Sequence, residues 1–340
     1  MTALPENPFD DFRDLVNLMP GPDLEAVAAV RARDAQLTKP PGSLGRLESL
    51  VEWLAAWQGK SRPTVDKPLM AVFAANHGIA AKGVSAFPAD VTKQMVANFA
   101  NGGAAINQLC KTYDIGLKVF ELALDFPTAD ISEGPAFEPQ ACAATMAYGM
   151  EALSSEPDLL CIGEMGIANT AVAAAVYMGL FGGEAAEWVG PGTGVVGPAL
   201  AHKAAMVAEA VRVNGGRLDD AFEVLRRLGG REIAAMAGAI IGARHRKIPV
   251  IVDGYVCTAA AAVVYAARPD AIDHCLFAHV SAEPAHARAL ATLGKKPLLD
   301  LGMRLGEGTG AAIAAGIVRA AAATHAGMAT FGEAGVSDKG

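Results

Sequence analysis

The sequence predicts an α/β protein built on a parallel sheet with helices on both faces, and three observations carry that prediction. Five short apolar runs end in Gly or polar residues: LMAVFAA (69–75), LKVFELA (117–123), DLLCIG (158–163), PVIVDG (249–254) and HCLFAH (274–279). Each gives way to an Ala-rich stretch of helical pattern, and near-continuous apolar strands alternating with helices signal a sheet buried on both sides. Glycine is abundant, at 37 residues, which suits tight strand-to-helix turns.

Residues 1–60 read as helical. Pro22 marks a helix start before DLEAVAAVRARDAQL, and 46–57 repeat apolar residues at helical spacing. Between them TKPPGSLGRLE, rich in Pro and Gly, is an ordered turn or an exposed loop. At the other end, LDLGMRLGEGTGAA is a Gly-rich turn feeding a long helix, expected to close against the N-terminal helices as a smaller lobe. FGEAGVSDKG is expected to be a frayed tail. The expected division is a large α/β domain over 65–300 and a small helical one from 1–64 and 301–340. No internal repeat is evident.

Composition narrows the function. A net charge of −8 with 6% aromatic residues makes a poor nucleic-acid binder, so an anionic ligand must be held by helix N-termini and a few placed cations. Cys110, Cys142, Cys161, Cys257 and Cys275 show no CxxC pair and no zinc spacing, and read as buried small hydrophobes in a reducing compartment. The acidic N-terminus MTALPENPFDDF has no signal-peptide pattern, so a cytoplasmic location is expected. The apolar stretch from Gly308 to Ala329 contains Arg319 and His325 and reads as a buried helix, not a membrane span.

Ligands of such sheets sit beyond the carboxyl ends of the strands. There the chain offers NHGIAAKGVSAFP, GEMGIANT, DGYVCT and HVSAEP. Glu164 lies in GEMGIANT, after a strand and at a helix opening that Asn169 or Thr170 can cap, with glycines leaving amides free for a phosphate. The motif is neither GxGxxG nor a P-loop, and a merely solvated glutamate fits the spacing too. Glu307, between Gly306 and Gly308, sits in an apolar turn whose partial desolvation would raise its pKa into the range of a general base; an acidic residue at a helix start is the other reading.

Lys203 ends the Gly-rich segment 190–203 and can neutralise a phosphate, although a solvated lysine is the commoner case. His77, His274 and His279 lie at strand ends without metal spacing, and Ser281 lacks a GxSxG elbow. Phe87 and Met95 alone look like core.

Together the stretches TKPPGSLGRLE, NHGIAAKGVSAFPADVT, GEMGIANT, HVSAEP and GMRLGEGTGAA resemble the nicotinate-nucleotide–dimethylbenzimidazole phosphoribosyltransferase family of cobalamin nucleotide-loop assembly. The resemblance spans most of the chain, from Lys39 to Ala312. It implies a Rossmann-like large domain, a small helical domain from both chain ends, and a homodimer. The implied reaction takes nicotinate mononucleotide and 5,6-dimethylbenzimidazole to α-ribazole 5′-phosphate and nicotinate, with no metal or other cofactor. Carried over by position, Glu307 is the catalytic base and Glu164 lies close to the reacting centre. Gly166, Asn169, Lys203 and Ser281 meet phosphate and ribose, Phe87 and Met95 line the base pocket, and Leu305 and Gly306 touch substrate.

Three positions depart from the family pattern. Asn76 stands where relatives often have Asp, and Phe87 and Met95 stand where some have Ser and Gln, which predicts looser discrimination among aromatic bases. Competing readings are a transferase with another acceptor base and a non-catalytic nucleotide sensor. A Rossmann dehydrogenase is disfavoured for want of GxGxxG and its acidic partner.

Overall fold

The computed structural model describes residues 7–216 and 218–337. The first six residues of the acidic N-terminus and the last three of the expected tail lie outside them.

All five apolar runs are strands: β1 (Pro68–Ala74), β2 (Gly116–Glu121), β3 (Leu159–Met165), β4 (Val250–Val252) and β5 (Cys275–Phe277). They pair in parallel in the order β2-β1-β3-β4-β5, the flavodoxin-type order of a doubly wound sheet. Chain direction across the sheet reverses between β1 and β3. The crevice beyond their carboxyl ends is therefore the place where a ligand is expected.

Side-chain alternation feeds two cores. Met70, Val72 and Ala74 of β1 point to one, with helices Leu24–Asp34, Arg46–Gln58, Ala105–Thr112 and Thr309–Gly327. Ala71 and Phe73 point to the other, under helices Pro139–Gly149, Asn169–Phe181, Arg231–His245 and Tyr255–Ala267. Both faces of the sheet's centre are thus removed from water, which is why β1, β3, β4 and β5 lack polar alternation, while the edge strand β2 stays largely exposed.

The two chain ends meet. Arg33 donates to the carbonyls of His325, Ala326 and Met328, and Leu37 bridges to Thr330. Helix Asp10–Asn17 goes to the opposite layer, where Phe9 stacks on Phe222 and Phe12 packs beside it. TKPPGSLGRLE is an ordered turn: buried Lys39 donates to Asp34 at 2.8 Å and to Glu48 at 2.7 Å.

The expected frayed tail is corrected in part. Phe331–Ala334 forms a helical turn, because Thr330 and Glu333 cap each other's backbone amides. The apolar stretch near the C-terminus is the buried helix Thr309–Gly327, and among the described residues no helix is long and apolar enough to cross a membrane.

Candidate active site

A cleft of ≈620 Å³ opens at the carboxyl ends of the strands. Phe87, Val91, Met95, Tyr255, Val256 and Leu305 give it an apolar lining, and Glu164, Glu283, Glu307, His279 and Arg304 bring polar and titratable groups. Such a lining with a few convergent polar groups is the usual form of a small-molecule site.

Glu164 is the penultimate residue of β3, one step earlier than the sequence suggested, and only 9% of it is exposed. Asn169 opens the following helix, but its amide donates to Glu164 Oε2 and does not cap the helix. The cap position falls to Ala168, which has φ +73° and supplies no side-chain acceptor. Thr170 does not cap either; its hydroxyl accepts from Lys203. Burial first, then the carboxylates of Glu232 and Asp253, push the Glu164 pKa up to about 8, against the Asn169 hydrogen bond.

Glu307 is 5% exposed and sits in three successive left-handed residues, with φ +86° at Gly306, +63° at Glu307 and +87° at Gly308. The flanking glycines make that path open. Glu307 itself bears a cost of about 1–3 kcal/mol, a pattern that gathers at functional sites. Its N–H donates to the Glu164 carbonyl at 3.2 Å. Its Oε2 accepts from Ile106 N–H at 3.4 Å, in the first turn of helix Ala105–Thr112. Burial raises the Glu307 pKa, the Ile106 amide opposes this, and Asp253 adds to it.

Close backbone contact joins the two glutamate segments. A Cβ on Gly163 would lie 2.6 Å from Gly308 N. One on Gly306 would lie 2.4 Å from Glu164 Oε1. Glycine at 163 and 306 is therefore what lets the strand end and the turn share one site.

The cleft also gathers Phe87, Met95, Gly166, Asn169, Ser281, Leu305 and Gly306 as expected. Phe87 is not core; it is half exposed at the mouth. Ser281 Oγ accepts from Glu283 N–H, and its own N–H donates to His286 Nδ1.

Lys203 does not line the cleft. Its ammonium is buried behind the wall, donating to Thr170 Oγ1 at 2.8 Å and the Gly190 carbonyl at 2.9 Å. Desolvation lowers its pKa to about 8, with Glu283 opposing. Asn76 is likewise behind the site: its amide donates to the Leu124 carbonyl at 2.9 Å, which an aspartate cannot do.

The histidines separate. His279 lines the cleft, whereas His77 is buried 3.1 Å from Glu232. His274 precedes β5 at its amino end, opposite the cleft, and burial drives its pKa to about 3.

Asp253, Glu283 and Arg304 were not singled out by the sequence. Arg304 donates to the Gly192 carbonyl at 2.9 Å, and Glu283 Oε2 accepts from Gly192 N–H at 3.0 Å. The two thus clamp one residue of the Gly-rich loop at the cleft wall. All three lie in segments just past strands or beside Glu307, and that placement was the available signal.

A family model described as Phosphoribosyltransferase matches residues 19–336. A Rhizobium meliloti (strain 1021) protein named nicotinate-nucleotide–dimethylbenzimidazole phosphoribosyltransferase is 65% identical over 332 residues, covering 98% of each chain. This chain belongs to that phosphoribosyltransferase family. A relative of the same name from Brucella anthropi is 64% identical over 330 residues, covering 97% of both chains. The crystal structure of CobT from Thermus thermophilus superposes with a TM-score of 0.86 at 40% identity, covering 93% of this chain and 100% of that one. The family members' shared fold is thus the doubly wound sheet described above.

Proposed function

We propose that this chain moves the 5-phosphoribosyl group of nicotinate mononucleotide onto 5,6-dimethylbenzimidazole, giving α-ribazole 5′-phosphate and nicotinate, a step of cobalamin lower-ligand assembly. The observation that carries the reading is the pairing of two buried glutamates, Glu164 and Glu307, across one apolar-lined cleft in a chain of this family.

The two carboxyl groups suit different tasks. Glu164, with its pKa near 8, is largely protonated at neutral pH and does not repel a second carboxylate beside it. Glu307 keeps an amide donor on Oε2, which favours its anion, while burial holds its proton affinity above the ordinary value. That combination fits a general base.

The acceptor's imidazole nitrogen uses its lone pair to form the bond to C1′. The bond from C1′ to the nicotinate nitrogen breaks and that nitrogen takes the pair, which neutralises its ring charge. Attack from the face opposite the leaving group inverts β to α. The acceptor's other N–H becomes acidic as the bond forms, and Glu307 takes that proton. Phe87 and Met95 hold the ring system against the apolar wall. Gly166, Asn169, Ser281 and the clamped Gly192 segment lie where sugar and phosphate meet backbone amides, with Arg304 as the cation at the mouth.

Helices Leu24–Asp34 and Arg46–Gln58 with Thr309–Gly327 act as a small lobe that brings the Glu307 turn to the sheet, and helix Asp10–Asn17 belongs with the larger domain. A homodimer follows from the family resemblance, and sedimentation analysis tests it. Five unpaired, buried cysteines support a reducing, cytoplasmic setting. The test of function is incubation with both substrates: nicotinate released in step with α-ribazole 5′-phosphate supports the reading, and no dimethylbenzimidazole-dependent release overturns it.

A further inference from the structure

We propose that Asp253 is a positioning residue for Glu307, with His279 flanking the Oδ1 of its carboxylate. The proposal rests on the reading of Glu307 as general base.

Asp253 directly follows β4 and is 1% exposed. A carboxylate removed from water needs donors, and among the described residues neither lysine nor arginine pairs with it. Its donors come instead from the turn that carries Glu307. Oδ2 accepts from Gly308 N–H at 3.2 Å, and Oδ1 accepts from Ala311 N–H at 2.9 Å. These amides belong to the start of helix Thr309–Gly327, whose cap position is Gly308 and has no side chain to accept them. Asp253 caps that helix from a different strand.

The consequence for Glu307 is geometric. Its own N–H is tied to the Glu164 carbonyl on one side, and the next peptide N–H is tied to Asp253 on the other. Between two glycines the segment has wide conformational freedom, so an unanchored turn would leave the left-handed conformation that puts Glu307 at the cleft. Of these two anchors, Asp253 is the one that acts through a side chain; the Glu164 anchor is a backbone carbonyl.

His279 lies with Nε2 3.5 Å from Asp253 Oδ1, and it lines the cleft. Its ring has room because residue 310 is glycine, whereas a side chain at Gly254 would only touch it. A Cβ on Gly310 would lie 2.1 Å from its Cδ2, and one on Gly254 3.4 Å from Nε2. The imidazole is wedged beside the acid and presents positive charge to it when protonated.

Several titratable groups face this cluster. Glu164 from β3 and Asp253 face Glu307; Cys161 from β3, Cys257 from helix Tyr255–Ala267 and His279 face Asp253; Asp300 faces His279; Glu232 faces Glu164. The Asp253 charge raises the proton affinity of Glu307, and burial opposes while Asp253 raises that of His279. Removing Asp253's charge therefore lowers the proton affinity of Glu307.

The test compares Asp253→Asn and His279→Gln with wild type, measuring kcat and KM against pH together with thermal melting. Misplacing a catalytic group by about 1 Å costs roughly 10²-fold, so Asp253→Asn is expected to lower kcat about 10²-fold with KM for nicotinate mononucleotide little changed. Its acid limb moves to lower pH. A wild-type kcat with an unmoved limb in Asp253→Asn overturns the proposal. Should Asp253→Asn fail to fold, His279→Gln decides alone: a lowered kcat with KM for nicotinate mononucleotide little changed supports it, and a wild-type kcat overturns it. Wild-type turnover by Glu307→Gln would instead sink the general-base reading; an inactive Glu307→Gln beside an unaffected Asp253→Asn sinks only this inference.

Discussion

The Asn169 side-chain amide donates to Glu164 Oε2 across the turn that leaves β3. This hydrogen bond favours the carboxylate, yet burial and the nearby acids outweigh it, and the Glu164 pKa stands near 8. Between the ordinary value of 4.5 and about 8, the folded state holds a proton that the unfolded state has lost. Stability therefore falls as pH rises through that window, by up to ~1.4 kcal/mol per pH unit. Thermal melting of the ligand-free protein from pH 5 to 8 checks this, and Glu164→Gln is expected to flatten the slope.

Lys203 gives the opposite sign. Its pKa of about 8 lies below the ordinary 10.5, so between these values the unfolded chain binds more protons and stability rises with pH. Lys203→Met is expected to remove that rise. At pH 7 it leaves the buried Gly190 carbonyl without its donor, at a cost of about 1–3 kcal/mol, while the half-buried Thr170 hydroxyl can turn to the cleft. Denaturant melts at pH 7 and pH 10 check both statements.

Gly163→Ala places a Cβ 2.6 Å from the backbone nitrogen of Gly308. Backbone cannot rotate away as a side-chain tip does, so the Glu307 turn must shift. Overpacking of this kind costs about 1–3 kcal/mol, and the displaced base is expected to cost roughly 10²-fold in kcat. Gly134→Ala, where a Cβ meets open space, is the control and is expected to change neither. Melting temperature and initial rate on the two proteins decide the point.

Phe87 and Met95 offer contact without hydrogen-bond donors on the base side of the cleft. Apolar pockets discriminate methyl groups weakly, so dimethylbenzimidazole and benzimidazole are expected to differ by less than about 10⁴-fold in kcat/KM. A competition assay with both acceptors that gave a larger ratio would contradict this.

Much of the architecture was legible in the sequence because the central strands are near-continuous apolar runs, and a sheet buried on both faces demands that pattern; the edge strand β2, with Lys118 and Glu121, is the less apolar one. Glu164 and Glu307 were findable because they lie in Gly-rich segments at a strand end and before a helix, whereas Met95 and Ser281 came only through the family resemblance. Side-chain direction was not legible. Lys203 sits in a promising loop yet turns behind the wall, because helix Pro198–Val213 carries it to Thr170. Asp253 was passed over because its role depends on the 308–311 amides, which only the folded topology brings to β4. Asn169 looked like a helix cap and was taken by Glu164 instead, since the nearby buried carboxyl is the acceptor its amide reaches.

The central claim is that Glu307 takes the acceptor's proton, and the rate of Glu307→Gln tests it most directly. Glutamine keeps the shape and an oxygen acceptor for Ile106 N–H while removing the basic site. With both substrates saturating at neutral pH, kcat for nicotinate release is expected to fall by ~10²–10⁴, with the melting temperature preserved. A folded Glu307→Gln protein that turns over at the wild-type rate would contradict the account.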